Sequence, residues 1–383
     1  MVPLLAPAWS LVAFLSVGAL ACVLWSLQLR FCTYHQSRGI VAAILGASVC
    51  ATLAPSPWIG AFLLTVALAL PISLLSLERK WTIALADPVQ ASGQLVMLST
   101  WIVVLGVLTA SMWLTTVWPL LGVLLVLSAY NNSVGMLQVY RGIKRWVWKD
   151  AAFGPIGEVV RRPTAFLHNE WKVAAINTIL LPVGVSLFWT GNPWLTVAGA
   201  IWVALAGWHL IKADSLTCTA SAVAGCLVVG TTAGFALPSI LMGSLSLAVY
   251  PFARRHLVND PRWEAWEVAS RMIRRNHGLG IGLGGWLGMR VQTPKEGERI
   301  WMWLHNDWLE TLLECGPLPV LCALGYLGTA AIRVAGGVSP LEAGLFGSLV
   351  ALAVLSLGYM PWRTWPVNLF ALGIVACWEA TGR

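Results

Sequence analysis

Residues 95–130 read LVMLSTWIVVLGVLTASMWLTTVWPLLGVLLVLSAY. Roughly 20 helical residues cross a hydrocarbon core, so this apolar run of about 36 is too long for one span. Pro119 falls inside it, and the run divides into two spans at 95–112 and 115–130. The same reading carried outward gives about twelve spans in all. The others lie near 4–28, 39–54, 57–77, 172–190, 193–212, 216–233, 237–250, 311–332, 340–360 and 362–380. Pro55-Ser56-Pro57 and Gly191-Asn192-Pro193 mark turns between neighbouring spans.

Composition agrees. Of 383 residues, 58% are hydrophobic and 10% charged, with mean hydropathy +0.76, against about 25% charged in a soluble domain. The expected fold is all-α, a polytopic membrane protein of about twelve transmembrane helices. Spans this dense leave no room for a soluble domain, so 1–383 reads as one integral membrane domain. Cys22, Cys50, Cys226, Cys322 and Cys377 fall inside apolar runs, where cysteine acts as a small hydrophobe. No CxxC or Cys/His zinc spacing occurs, and no structural metal is expected. The apolar run Leu4 to Leu29 lacks a basic leader and is long for a cleaved signal, so it reads as the first span.

Two stretches interrupt the apolar pattern, 131–171 and 251–310. Four spans separate them, which puts both on one side. The first sets Arg141, Lys144, Arg145, Lys149, Arg161 and Arg162 against three acids. The second, to Trp308, sets nine basic residues against six acids, among them Arg262, Arg271, Arg274 and Arg275. Such a face attracts an anion at a membrane surface, a phosphate or diphosphate headgroup, and no nucleic-acid partner is expected. On this span count only Arg333 and Arg383 lie opposite, and the positive-inside rule alone would make both loops cytoplasmic.

Taken singly, these residues have plain readings. His305 would be an interfacial histidine, and Arg271, Arg274 and Arg275, at i, i+3, i+4, a solvated helix face. Arg262 falls on the other face, beside Trp266. Glu314 would cap or pair locally, or be a buried protonated acid. The tryptophans are mainly an interfacial belt, though Trp301, Trp303 and Trp308 could stack on sugars. His168 and His209 read as structural. Gly280 to Gly285 spells G-x-G-x-x-G, but with no preceding strand it is no dinucleotide site; a flexible turn is the better reading.

In combination they say more. The stretch Trp303 to Gly316, WLHNDWLETLLECG, leaves a polar loop and enters an apolar run. It resembles the H-N-x-x-L-x-x-L-x-E-x-G signature at which the large periplasmic loop of O-antigen ligases and polymerases meets the next membrane helix. His305, Asn306, Leu309, Leu312, Glu314 and Gly316 all fall in register. Arg262-Trp263-Glu264-Ala265-Trp266 resembles the family's R-x-x-x-W element, and Gly280-Ile281-Gly282 its G-x-G turn. Phe166 to Ala174 is more distantly similar to an F-x-N-x-N-x-x-A element. Two departures stand out. Asp214-Ser215 replaces a Ser-Arg pair, with Lys212 as the nearest cation, and Pro317-Leu318-Pro319 follows Gly316 where relatives have a second glycine.

The resemblance implies a metal-independent, cofactor-free glycosyltransferase of the bacterial inner membrane, its loops facing the periplasm against the charge count. The donor would be an undecaprenyl-diphosphate-linked glycan, and the acceptor a lipid A core or glycan hydroxyl. His305 would be the catalytic base, and Arg262, Arg271, Arg274, Arg275 and Lys212 would hold the diphosphate. Asn306, Glu314, Trp266, Gly280 and Gly282 would support the motif. O-antigen ligase, polysaccharide polymerase and a non-catalytic transporter or carrier-lipid-binding protein all remain open at this point.

Overall fold

The computed structural model describes residues 34–52, 54–76, 88–114, 116–140, 170–213, 215–232, 262–286, 289–293, 297–301, 303–364 and 366–382. The expected spans 4–28 and 237–250 lie outside these residues, as do 141–169 and 251–261 of the two basic stretches.

Among the described residues there are twelve α-helices. They are α1 (Tyr34–Thr52), α2 (Pro57–Ser76), α3 (Pro88–Leu114), α4 (Trp118–Tyr140), α5 (Glu170–Ser186), α6 (Pro193–Ala213), α7 (Leu216–Thr232), α8 (Arg262–Arg275), α9 (Asp307–Cys315), α10 (Pro317–Ala335), α11 (Pro340–Leu355) and α12 (Val367–Thr381). The fold is all-α apart from one antiparallel ribbon, β1 (Met289–Thr293) with β2 (Gly297–Trp301), in which Met289 faces Trp301. The stretch 251–310, expected to be helical, therefore contains a hairpin after α8.

Twelve helices are not twelve spans. The stretches Trp118–Leu137, Trp171–Trp189, Pro193–Ala213 and Pro317–Ala335 are long and apolar enough to cross a membrane, which points to a multi-pass membrane protein. Several of their outward residues are large and apolar: Val123, Val126 and Leu127 on α4, Trp194, Val197 and Ile201 on α6, Leu318, Leu321 and Leu324 on α10. Surfaces of that kind suit lipid rather than water. Helices α7, α11 and α12 have 17, 16 and 15 residues. At about 1.5 Å per residue they fall short of a hydrocarbon core of about 30 Å.

Three boundaries differ from the sequence reading in ways that bear on the site. Helix α3 runs to Leu114 and α4 begins at Trp118, beyond the expected gap at 113–114, with Pro119 in the first turn of α4, where its missing N–H is harmless. Helix α4, however, runs on through Asn131 and Asn132 to Tyr140. The expected span 311–332 is broken at Gly316, whose φ of 79° ends α9. Pro317 then opens α10 as a separate helix, a position for which its ring is preset.

Packing divides the chain into two compact units, residues 1–111 with 260–328 and residues 112–259 with 329–383. In the second unit α5 is buried on every side: Val173, Ala174, Ile179, Leu180 and Val183 are at most 1% exposed. It packs on α6, α7 and α11. The α7–α11 contact is a glycine seam. A Cβ added at Gly225 would lie 2.5 Å from the Gly347 carbonyl oxygen, and one at Gly347 would lie 2.6 Å from that of Gly225. Small residues of this kind let helix backbones approach closely where lipid offers no hydrophobic drive.

Several polar side chains inside that unit pair with one another. The Asn132 and Asn177 amides exchange two hydrogen bonds of 3.0 Å each, Ser128 donates to Asn177 Oδ1 at 3.2 Å, and His209 Nε2 meets the Asn132 carbonyl at 2.8 Å. This explains why α4 does not stop at its asparagines, and His209 is structural, as expected. Arg333 joins α10 to α11 and α12 through Glu342, the Trp378 carbonyl and Thr381 Oγ1, with its guanidinium 4.1 Å above the Trp378 ring.

The first unit has two apolar clusters. Ala43, Ile44, Ala47, Leu63, Val66 and Leu95 pack α1, α2 and α3 together. Ala265, Ala269, Met272, Ile281, Trp286, Leu304 and Leu313 pack α8 against α9 and the segment between them. Trp266 and Leu309, from the two motif elements, pack against the second cluster.

Candidate active site

Helix α8 is strongly two-faced. Ala265, Ala269 and Met272 are buried, while Trp263, Glu267, Arg271, Arg274 and Arg275 are exposed. Arg262 precedes Trp266 by four residues and Ala269 by seven, so it starts the packed face. The Arg271–Arg274–Arg275 triplet points the other way. Arg271 pairs with Glu267 at 3.8 Å on that outer side. Arg262 thus shares the side of Trp266, and the triplet lies on the exposed face. Lys212, in the last turn of α6, is exposed and belongs to the second unit.

The glycine turn after α8 is a fixed brace rather than a flexible flap. Gly278, Gly280, Gly282 and Gly284 have φ of 72°, 86°, 101° and 78°, values that only glycine adopts readily. Ile281 N–H donates to the Leu313 carbonyl at 2.9 Å, and Gly282 N–H to the Glu314 carbonyl at 3.0 Å. These are carbonyls at the end of α9, which have no acceptor role inside the helix. A Cβ at Gly280 would come within 2.5 Å of the Glu314 carbonyl oxygen. Glu314 is fully buried and its Oε1 accepts the Trp286 N–H at 3.2 Å. Asn276 adds a side-chain bond to the Gly280 carbonyl. Gly280, Gly282 and Glu314 thus lock the C-terminal end of α9.

His305 and Asn306 stand at the opposite end, about nine residues or roughly 13 Å along the axis. Asn306 is the N-cap of α9, its side-chain oxygen accepting the Leu309 N–H at 2.9 Å. His305 has φ of 54°, one of two non-glycine residues with positive φ among those described. Its neighbour Leu304 is wholly buried and held from both sides. The Trp266 indole N–H donates to the Leu304 carbonyl at 2.7 Å, and the Glu310 carboxylate accepts the Leu304 N–H at 3.1 Å. Trp263 stands edge-on to Trp266 with ring centroids 4.8 Å apart.

The two sequence elements of the site, 38 residues apart, are therefore joined by the Trp266 indole. His305 is half-buried on the segment so held. Among the described residues no three His, Cys, Asp or Glu side chains gather as a metal site requires. Glu310 was not among the expected site residues, being one of three acids in the short α9 (Asp307, Glu310, Glu314), all buried. An acid on the apolar side of an amphipathic helix is the signal that marks it. Comparison with protein-family models, curated proteins and solved structures finds no match.

Proposed function

We propose that the chain is a lipid-linked glycan transferase of the O-antigen ligase/polymerase type, a multi-pass protein of the bacterial inner membrane with its catalytic loop facing the periplasm. What carries this reading is the Trp266–Leu304 bond, which gives the R-x-x-x-W and His-Asn elements one common scaffold. The acceptor hydroxyl attacks the anomeric carbon of the donor sugar, and the bond from that carbon to the diphosphate oxygen breaks with inversion. The hydroxyl proton passes to the imidazole of His305, which acts as general base. Negative charge grows on the departing carrier diphosphate, where the Arg262 guanidinium offers two parallel donors. A basic loop is what such a site needs, so the charge count does not stand against a periplasmic face.

The test is transfer by purified protein from an undecaprenyl-diphosphate glycan, run with and without lipid A core. Product on the core supports a ligase; lengthened carrier-linked glycan supports a polymerase; neither product, with the protein folded, refutes the reading. Arg262→Ala should weaken binding of the diphosphate carrier by about 1.5–3 kcal/mol, the range for a hydrogen bond to a charged group. Arg271→Ala, on the exposed face, should change it by less than about 0.5 kcal/mol. Equal losses in the two variants would place the diphosphate elsewhere on α8.

A further inference from the structure

We infer that Glu310 is the positioning residue for His305. The inference rests on the catalytic role proposed above for His305, but its geometric basis does not. In an ordinary capping box the third helical residue reaches back to the N-cap N–H. In α9 that third residue is Leu309, which has no acceptor to offer. Glu310, one place further on, reaches past the cap, and its Oε2 accepts the N–H of Leu304, two residues before Asn306. The bond closes a ring of chain from 304 to 310, and His305 lies within it.

Three further constraints act on the same ring. The Glu310 N–H donates to the Asn306 carbonyl at 2.9 Å, Asn306 Oδ1 accepts the Leu309 N–H, and Trp266 fixes the Leu304 carbonyl. A histidine at φ 54° is not at its own backbone preference. Something must hold it there, and the buried carboxylate of Glu310, 0% exposed, is the group that reaches across it. Glu310 occupies a variable place in the H-N-x-x-L-x-x-L-x-E-x-G spacing, so the motif alone does not point to it. Its action is on geometry: it sets where the imidazole meets the acceptor hydroxyl and touches no substrate itself.

Three variants separate this role from bulk stability. Glu310→Gln keeps a carbonyl oxygen that can accept the Leu304 N–H. Glu310→Ala removes it, and Glu310→Asp keeps the carboxyl group on a side chain one methylene too short. The alanine and aspartate variants should lose about 100-fold in kcat, as a small misplacement of a reacting group does. KM for the carrier-linked donor should be unchanged, and Glu310→Gln should recover most of the rate.

The second readout is imidazole NMR of histidine-labelled full-length protein in nanodiscs, with the His305 signal assigned by its loss in His305→Ala. That signal should keep its wild-type position in Glu310→Gln and move in Glu310→Asp and Glu310→Ala. If the alanine variant does not fold, the glutamine and aspartate variants decide. Glutamine as damaging as aspartate in both readouts, or an unmoved His305 signal in all variants, overturns the inference. Absence of transferase activity in the wild type would sink the proposed function only, and the NMR comparison would still decide whether Glu310 places His305.

Discussion

His305→Ala and His305→Asn should each lose transfer by about 100-fold or more, the contribution of a general base in the transition state. Two variants are needed because His305 combines a reactive ring with a left-handed backbone, φ 54°. Alanine is rarer than histidine in that region, whereas asparagine is at home at positive φ. If both lose activity while donor binding and thermal unfolding stay near wild type, the imidazole is what matters. A His305→Asn protein at full rate would mean that the position is selected for its backbone, and the base would have to be sought elsewhere.

Gly225→Val should destabilise the second unit by about 3 kcal/mol, the upper part of the usual range for overpacking. The added Cβ would stand 2.5 Å from the Gly347 carbonyl oxygen, 2.7 Å from Pro182 Cγ and 2.9 Å from Ala351 Cβ. None of these is the tip of a flexible chain, so α7 and α11 must separate. Gly122→Val on α4 is the control, since a Cβ there meets nothing within 4 Å. Denaturant unfolding in detergent should show a lower midpoint for Gly225→Val and none of that loss for Gly122→Val. Equal midpoints would mean that the seam contributes little.

Much of the described membrane architecture is legible in the apolar runs, because the same residues that face lipid also mark the helices. The break between Leu114 and Trp118, the turn ahead of Pro57 and the cap at Asn192, which accepts the Trp194 N–H at 2.9 Å, follow from proline and asparagine chemistry. Asn131 and Asn132 misled because a polar pair resembles a loop, and only the partner at Asn177 shows otherwise. The break at Gly316 was hidden because leucines continue on both sides of it.

At the site, the start and end of the motif were visible but not their division of labour. Glycine-rich sequence reads as flexible, yet the Ile281 and Gly282 N–H groups of this turn are bonded to backbone carbonyls of α9. The arginine triplet and Arg262 differ by face, which spacing did suggest. The reach of Glu310 to Leu304 crosses a turn that no helical periodicity describes.

The glycine seam also sets an order of events during synthesis. Helix α7 ends at Thr232 and α11 begins at Pro340, about 108 residues later. At roughly 5–20 residues per second, α7 and the Pro182 turn of α5 wait for about 5–20 s before their partner exists. In that interval the bared Gly225 backbone and Ser186, which lies against Gly344 in the finished fold, lack the helix they pack on. Helix α11 is thus the closing piece of its unit. A chain arrested before Leu355 leaves the ribosome with an open groove, the kind of surface by which membrane proteases and insertion chaperones tell an unfinished protein from a finished one.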